Sequence, residues 1–309
     1  MRLFRSSTLS SQFLALAAMT FPFLSISAQS SGEGRPEPTA ETKIGVSFDY
    51  VASADQEVDG ADAGELEMAR YAFEVDYAFD PTDAGQFSLG VGYAGTDLDF
   101  DAAVPLPDEF QEYDISLGYR TRFNDTWSLT SSLSVGVATD TEVDASDAVE
   151  VSGLVLGMRR WGPHHSAAFG LRASSRSEFP VLPVASYSYT PNDTWRFTFG
   201  FPRSEVAYRL DDATLLDFGT SFTGGTYRVD LGSLPASPFW ILPAGKTEDD
   251  LDYRQVDLTV RLHRDFTPGF RATVSLGYSV YRYFEYDDLG TEIEPDGAFV
   301  AGLSLQGRF

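Results

Sequence analysis

Alternation with a period of two runs through this chain, and it constrains the fold more than any other feature. In Tyr71-Ala72-Phe73-Glu74-Val75-Asp76-Tyr77-Ala78-Phe79, every odd residue is large and apolar, while the even ones are Ala, Glu or Asp. Successive side chains of a strand point to opposite faces, so this segment reads as a β-strand with one apolar face. The pattern returns at Phe87, Leu89, Val91 and Tyr93, at Tyr113, Ile115, Leu117 and Tyr119, and at Trp127, Leu129, Leu133, Val135 and Val137. Later copies are Trp195, Phe197, Phe199 and Phe201, then Val256, Leu258, Val260 and Leu262. The last are Phe270, Ala272, Val274, Leu276, Tyr278 and Val280, followed by Phe299, Ala301, Leu303, Leu305 and Phe309. No segment carries a helical period, and Gly and Pro punctuate the whole chain. The expected fold is all-β.

What occupies the second face separates a soluble sandwich from a membrane barrel. A sandwich turns its large residues inward and its charges to water. A membrane barrel turns large residues to lipid and lines its lumen with small or polar ones. Here the minor face is small, as in Ser128, Thr130, Ser132, Ser134 and Gly136. Rings gather at strand ends, as at Tyr50, Phe79, Tyr93, Tyr119, Phe123, Trp127, Tyr189, Trp195, Phe201 and Tyr208, which fits two interfacial girdles. Connections alternate in length. Short ones fall at 80–85, 123–126, 161–165, 191–194 and 265–269; longer acidic loops are expected near 52–66, 96–111, 139–148, 231–250 and 285–296. That rhythm predicts a closed antiparallel transmembrane β-barrel of about 14 strands, or about 12 if the stretch around Pro202 is not a hairpin. Asn-Asp-Thr-Trp occurs at both 124–127 and 192–195, which reads as shared turn chemistry.

The N-terminus sets the expected compartment. Arg2 and Arg5 precede a mostly apolar stretch from Phe13 to Leu24, and small residues end at Ala28. This is the order of a secretory signal, so residues 1–28 are expected to be a cleaved signal peptide, 29–42 a flexible lead-in and 43–309 the barrel. The chain has no cysteine, which removes disulfides, thiol catalysis and lipoprotein attachment. Its net charge of −24 would repel phosphate, so nucleic acid is not an expected partner.

The final strand, with Leu303, Leu305 and the terminal Phe309 on one face, resembles the signal that bacterial outer-membrane proteins present to the barrel assembly machinery. Gly307 departs from it, standing where a bulky residue is common. Asp193-Thr194-Trp195-Arg196-Phe197-Thr198-Phe199-Gly200-Phe201-Pro202, then Val206–Leu210 and Gly224–Val229, is similar to an uncharacterised, porin-like family of bacterial outer-membrane barrels, a domain of unknown function. The resemblance is detailed over roughly 180–230 and implies a fold and a location in the outer membrane, among outer-membrane lipid and lipopolysaccharide, with no activity to carry over.

Candidate chemistry is sparse. His164-His165-Ser166 contains a His-x-Ser spacing, which outer-membrane lipid A deacylases share, but no acid partner is assignable and the motif falls in a short turn. No metal or cofactor motif is present, and the acidic loops lack the spacing of a dedicated calcium loop. Parity places Arg70, Glu74, Asp76, Asp114, Arg120, Arg196, Glu205, Arg209, Asp217, Arg228, Asp257, Arg261 and Arg271 on the lumen side. Opposed charges there can sort solutes by sign. The leading expectation is a passive channel for small solutes. The alternatives are a structural or surface-interaction barrel with a closed lumen and, third, a lipid-modifying enzyme; enzymatic activity is not expected.

Overall fold

A computed structural model describes residues 40–100, 104–177, 180–235 and 245–309. The expected signal peptide and most of the lead-in lie outside these residues. The alternating segments form β1 (Glu41–Val58), β2 (Ala61–Ala78), β3 (Gln86–Phe100), β4 (Glu109–Arg122), β5 (Trp127–Thr139), β6 (Val149–Trp161) and β7 (His165–Ser174). They continue as β8 (Val181–Tyr189), β9 (Trp195–Phe201), β10 (Ser204–Asp211), β11 (Thr214–Asp230), β12 (Glu248–Thr267) and β13 (Phe270–Tyr286). The last two are β14 (Glu292–Pro295) and β15 (Ala298–Arg308). Sequence neighbours from β1 to β13 pair antiparallel, and β15 pairs with both β13 and β1, so the sheet closes. Since β14 and β15 share those two neighbours, they are one interrupted stave, and the barrel has 14. The stretch around Pro202 is a hairpin, β9–β10, which decides the count.

Closure follows from the pairing requirement. A strand edge in hydrocarbon leaves backbone groups without partners, and only a closed sheet removes every edge. Outward faces carry an apolar belt of half-exposed side chains, among them Phe73, Leu89, Ile115, Leu133, Phe169, Phe199, Val260, Leu276 and Leu303. The short turns use local chemistry. Asn124 Oδ1 accepts from the N–H groups of Thr126 and Trp127 at 2.9 Å each, and Asn192 Oδ1 accepts from those of Thr194 and Trp195 at 3.0 and 2.9 Å. The repeated tetrapeptide is therefore one turn used twice.

The other end departs from expectation. Residues 52–66 are not a loop: β1 and β2 continue to Val58 and Ala61 and meet in a tight turn at Asp59 and Gly60, with φ of +49° and +77°. Asp-Gly at the apex of two alternating runs favours that left-handed turn over a free loop. Strands β3, β4 and β13 likewise run into the segments expected as loops. The barrel wall thus extends well beyond the apolar belt at its long-loop end, and the larger of two buried apolar clusters lies within that extension.

Candidate functional site: the barrel lumen

The lumen has two storeys, and their boundary is written in the alternation. Along β2, Tyr71, Phe73, Val75 and Tyr77 face out; a few residues further up, Leu66 and Met68 face in and are buried, while Glu65 and Glu67 take the outer face. The same reversal occurs in β3, where Phe87 to Tyr93 point out and Leu98 points in, and in β12, where Val256 to Leu262 point out and Leu251 and Tyr253 point in. Below the reversal the outer surroundings are apolar and the interior is mostly polar, apart from a small buried apolar cluster of Leu154, Leu156, Ala168 and Val184 on β6 to β8. Above it the wall stands in water, and the interior is packed like a soluble core.

That upper core is a plug. Val104 and Leu106, between β3 and β4, pack with Leu66, Met68, Phe110, Tyr227, Tyr253, Phe284 and Ile293. Phe110 stacks on Tyr227 at 4.4 Å between ring centroids, and Tyr253 on Phe284 at 4.6 Å. The Tyr286 hydroxyl donates to the Pro105 carbonyl at 2.7 Å, pinning the inserted segment. Above Thr220, β11 has no partner in β10. It crosses the mouth to β5 instead: Arg228 bridges to Thr139, the Asp140 N–H donates to the Arg228 carbonyl at 3.2 Å, and Asp140 Oδ2 accepts from the Asp230 N–H at 2.7 Å. Within the described residues, these buried side chains and the β11–β5 contacts occupy the long-loop half of the lumen.

Beneath the plug the surface changes to charges and small residues. Asp49 faces Arg70 across β1 and β2, and the Arg70 guanidinium lies 5.6 Å from the centre of the Tyr253 ring. Asp257 accepts from the Gln255 amide at 2.6 Å. Next comes a row that pairing register creates from six strands: Gly45, Glu74, Gly92, Asp114, Gly136 and Glu150 are successive cross-strand partners. The carboxylates recline on the glycines. A Cβ on Gly45 would lie 2.8 Å from Glu74 Cγ, and one on Gly92 would collide with Asp114 Oδ1. Asp76 lies over Gly90 in the next row down. Small neighbours let the acids lie flat against the wall, so they line the passage without filling it. Glu112, Asp114, Glu150, Arg172 and Tyr227 enclose a cavity where this row meets the plug.

The facing wall is predominantly basic. Arg196 donates to Glu205 at 3.0 Å, Arg203 pairs with Glu205 at 2.6 Å, and Arg261 donates to Asp217 at 2.7 Å. His263 Nε2 lies 2.5 Å from the second Asp217 oxygen, and its Nδ1 lies 2.9 Å from Thr273 Oγ1. This network ties β9 to β12, with Asp217 only 2% exposed. Sequence parity singled out Arg196, Glu205, Asp217 and Arg261; it passed over Arg203, in a turn, and His263, whose inward position the same alternation gives. At the short-turn end, Arg271 pairs with Asp265 at 2.6 Å, Arg209 donates to the Asp193 carbonyl at 3.1 Å, and Arg120 is exposed. Arg228 does not line the lumen. The crossing of β11 carries it to the rim, on the face opposite Tyr227 and Val229, where it bonds Glu248 at 3.0 Å and Asp250 at 3.3 Å. Alternation carried unbroken along β11 from Asp217 puts Arg228, an odd number of residues away, on the outer face, so the lumen-side expectation counts it on the wrong side.

The other candidates sit apart. His164 Nδ1 lies 2.6 Å from the Thr190 carbonyl, while His165 faces outward, its ring 4.9 Å from Tyr189, so the His-His-Ser segment runs from the turn into the start of β7 with both rings engaged. Asp140 and Asp144 hold loop N–H groups. No cluster of three metal-ligating side chains occurs among the described residues.

These features define a class: a closed, belt-bearing β-barrel with a polar vestibule and an apolar plug. The chain belongs to the family described as a domain of unknown function, DUF6268, whose model matches residues 49–292. No curated protein matches the sequence. Among solved structures, the COG4313 outer membrane channel from Pseudomonas putida F1 is similar at 12% identity, over 90% of this chain and 98% of that one, with a TM-score of 0.50. A deletion mutant of the TodX monoaromatic hydrocarbon channel is similar at 11% identity, over 89% and 91% of the two chains, with a TM-score of 0.53. At these identities the likeness is one of fold.

Proposed function

We propose that this protein is a bacterial outer-membrane channel for small solutes, exported by its N-terminal segment and held shut by the apolar plug. Leu303 and Leu305 on the outer face of β15, with the terminal Phe309, serve as the assembly signal. The observation that carries the channel reading is the acid–glycine row. A barrel with only a structural role gains nothing from carboxylates laid flat on glycines, since glycine weakens a strand. A passage gains width and a field. Acids on β2, β4 and β6 favour cations, and the basic network on β9 to β12 faces them. The two channels similar in fold support the same reading. The plug favours a second reading, a permanently closed barrel.

Single-channel recording in a planar bilayer separates the two. Wild type should open rarely. Tyr286→Phe, which releases Pro105, and Phe110→Ala, which hollows the plug, should open more often. Asp114→Asn in the opened background should lower the preference for cations. If both plug variants fold, by heat-modifiable gel mobility, yet stay silent, the closed barrel is correct.

A further inference from the structure

One arginine breaks the apolar outer face of β5 to β9. Trp127, Arg159, Ala167, Tyr187 and Phe199 are successive cross-strand partners on that face, in a row near the short-turn end. Along these five strands no other outward position holds Asp, Glu, Lys or Arg. Arg159 is exposed, and no carboxylate pairs with it among the described residues. The other cations of the belt strands face inward, except Arg264, which is paired with Asp211.

Two indoles hold the Arg159 side chain in place. Its Cζ lies 5.3 Å from the centre of the Trp127 ring and 5.1 Å from that of Trp161. Trp127 in turn meets Phe169 edge-on at 5.9 Å. A cation–π contact consumes none of the five guanidinium N–H donors. Ala167, the partner of Arg159 on β7, leaves room beside them. Girdle rings sit at the depth of lipid headgroups, and an unpaired charge facing lipid is costly. The counter-charge must come from outside the chain, and the anion at that depth is a lipid phosphate.

We propose that Arg159, framed by Trp127 and Trp161, binds the phosphate of an anionic phospholipid in the leaflet at the short-turn end. Charge selects the class of lipid. In a zwitterionic headgroup the amine already partners the phosphate, and no outward carboxylate on these strands receives that amine. An anionic headgroup brings a phosphate without an internal partner, and two of its oxygens match two N–H groups of the guanidinium fork. The inference requires a membrane barrel but not an open one, so it stands apart from the channel reading.

The two indoles report on the site themselves. The full chain carrying Trp195→Phe and Trp240→Phe keeps only Trp127 and Trp161. It is reconstituted in phosphatidylcholine vesicles in which either phosphatidylglycerol or a share of the phosphatidylcholine is brominated on its acyl chains, and tryptophan quenching gives the relative affinity of each lipid. Brominated phosphatidylglycerol should bind about five-fold more strongly than brominated phosphatidylcholine, the gain of one basic side chain at an anionic headgroup. That preference runs against the net charge of −24, which repels anionic lipid elsewhere on the surface. Arg159→Gln should bring the ratio to about one. Arg160→Gln, which removes an equal charge from the inner face of the same strand, should leave the ratio unchanged. Equal affinities in the parent chain overturn the proposal whatever the variants do. A preference that survives Arg159→Gln, or one that Arg160→Gln also abolishes, overturns it as well, with folding shown by heat-modifiable gel mobility.

Discussion

The two storeys of the lumen are built from the same strands, yet they obey opposite rules. In the plugged half, Leu66, Met68 and Phe110 point in and are fully buried, as in a soluble protein. In the vestibule, inward positions on β2 to β5 carry Glu74, Asp76, Asp114, Ser and Gly, and the large apolar residues of those strands face out; only on β6 to β8 does a small apolar cluster, Leu154, Leu156, Ala168 and Val184, face in. The surroundings of the wall cause the difference. Lipid repays outward apolar surface and water does not, so the side chain that should face inward changes where the wall leaves the belt. A strand crossing that boundary must switch phase, and β2 does so between Met68 and Tyr71.

The comparison breaks most decisively in the plug. Phe110→Ala removes a ring stacked on Tyr227 in a dry core and should cost about 3–5 kcal/mol. Leu117→Ala, on the lipid face of the same strand, should cost about half of that or less, because lipid fills the space left behind. Urea unfolding of the two variants in lipid vesicles gives both numbers. Equal costs would mean that the upper core is not packed as a soluble core is.

The vestibule depends on charge pairing. Asp217 is buried and holds Arg261 and His263, so Asp217→Asn should destabilise the barrel by about 3 kcal/mol by leaving Arg261 short of its counter-charge. Glu74→Gln, on the acidic wall, should be near neutral in stability and act on ion selectivity instead. No ion-pair partner within 4.0 Å is found for Glu74 among the described residues. The same unfolding assay, read beside reversal potentials of an opened variant, distinguishes a structural charge from a functional one.

Much of this was legible in the sequence, and the limits are physical. Period two gave the strands, the closed barrel and the inward positions of Glu74, Asp114 and Asp217. The repeated Asn-Asp-Thr-Trp gave a turn that the structure uses twice. The phase switch was also present: Glu65, Glu67, Asp97 and Asp99 stand on the face that Tyr71 and Tyr93 occupy lower down. Read as acidic loops, those residues concealed the upper core. Register was beyond reach, because alternation gives the face of a residue and not its neighbour across the strand. The row from Gly45 to Glu150 therefore emerges only from pairing. The crossing of β11 to β5 was equally hidden, since no local pattern marks a contact between residues 139 and 228.

The smallest expected effect lies at the rim, where the plugged half meets solvent. Lys246 Nζ is 2.7 Å from Asp288 and 3.3 Å from Asp249, and Asp249 accepts from the N–H groups of Asp288 and Leu289 at 3.2 and 3.1 Å. The Lys246 ammonium holds the exposed Asp288 carboxyl below its usual value. A carboxyl with a depressed value contributes above its unfolded value, about 3.9, and loses that contribution as the pH falls through the folded one. Hydrogen exchange at the Leu289 amide, corrected for the intrinsic rate, should therefore stay constant from pH 7 to about 4 and rise only below that. Asp288→Asn should remove this acid response while leaving plug amides, such as that of Phe284, unchanged. If the plug amides respond as well, the rim and the core are one cooperative unit, and the boundary between the storeys is the only division in the lumen.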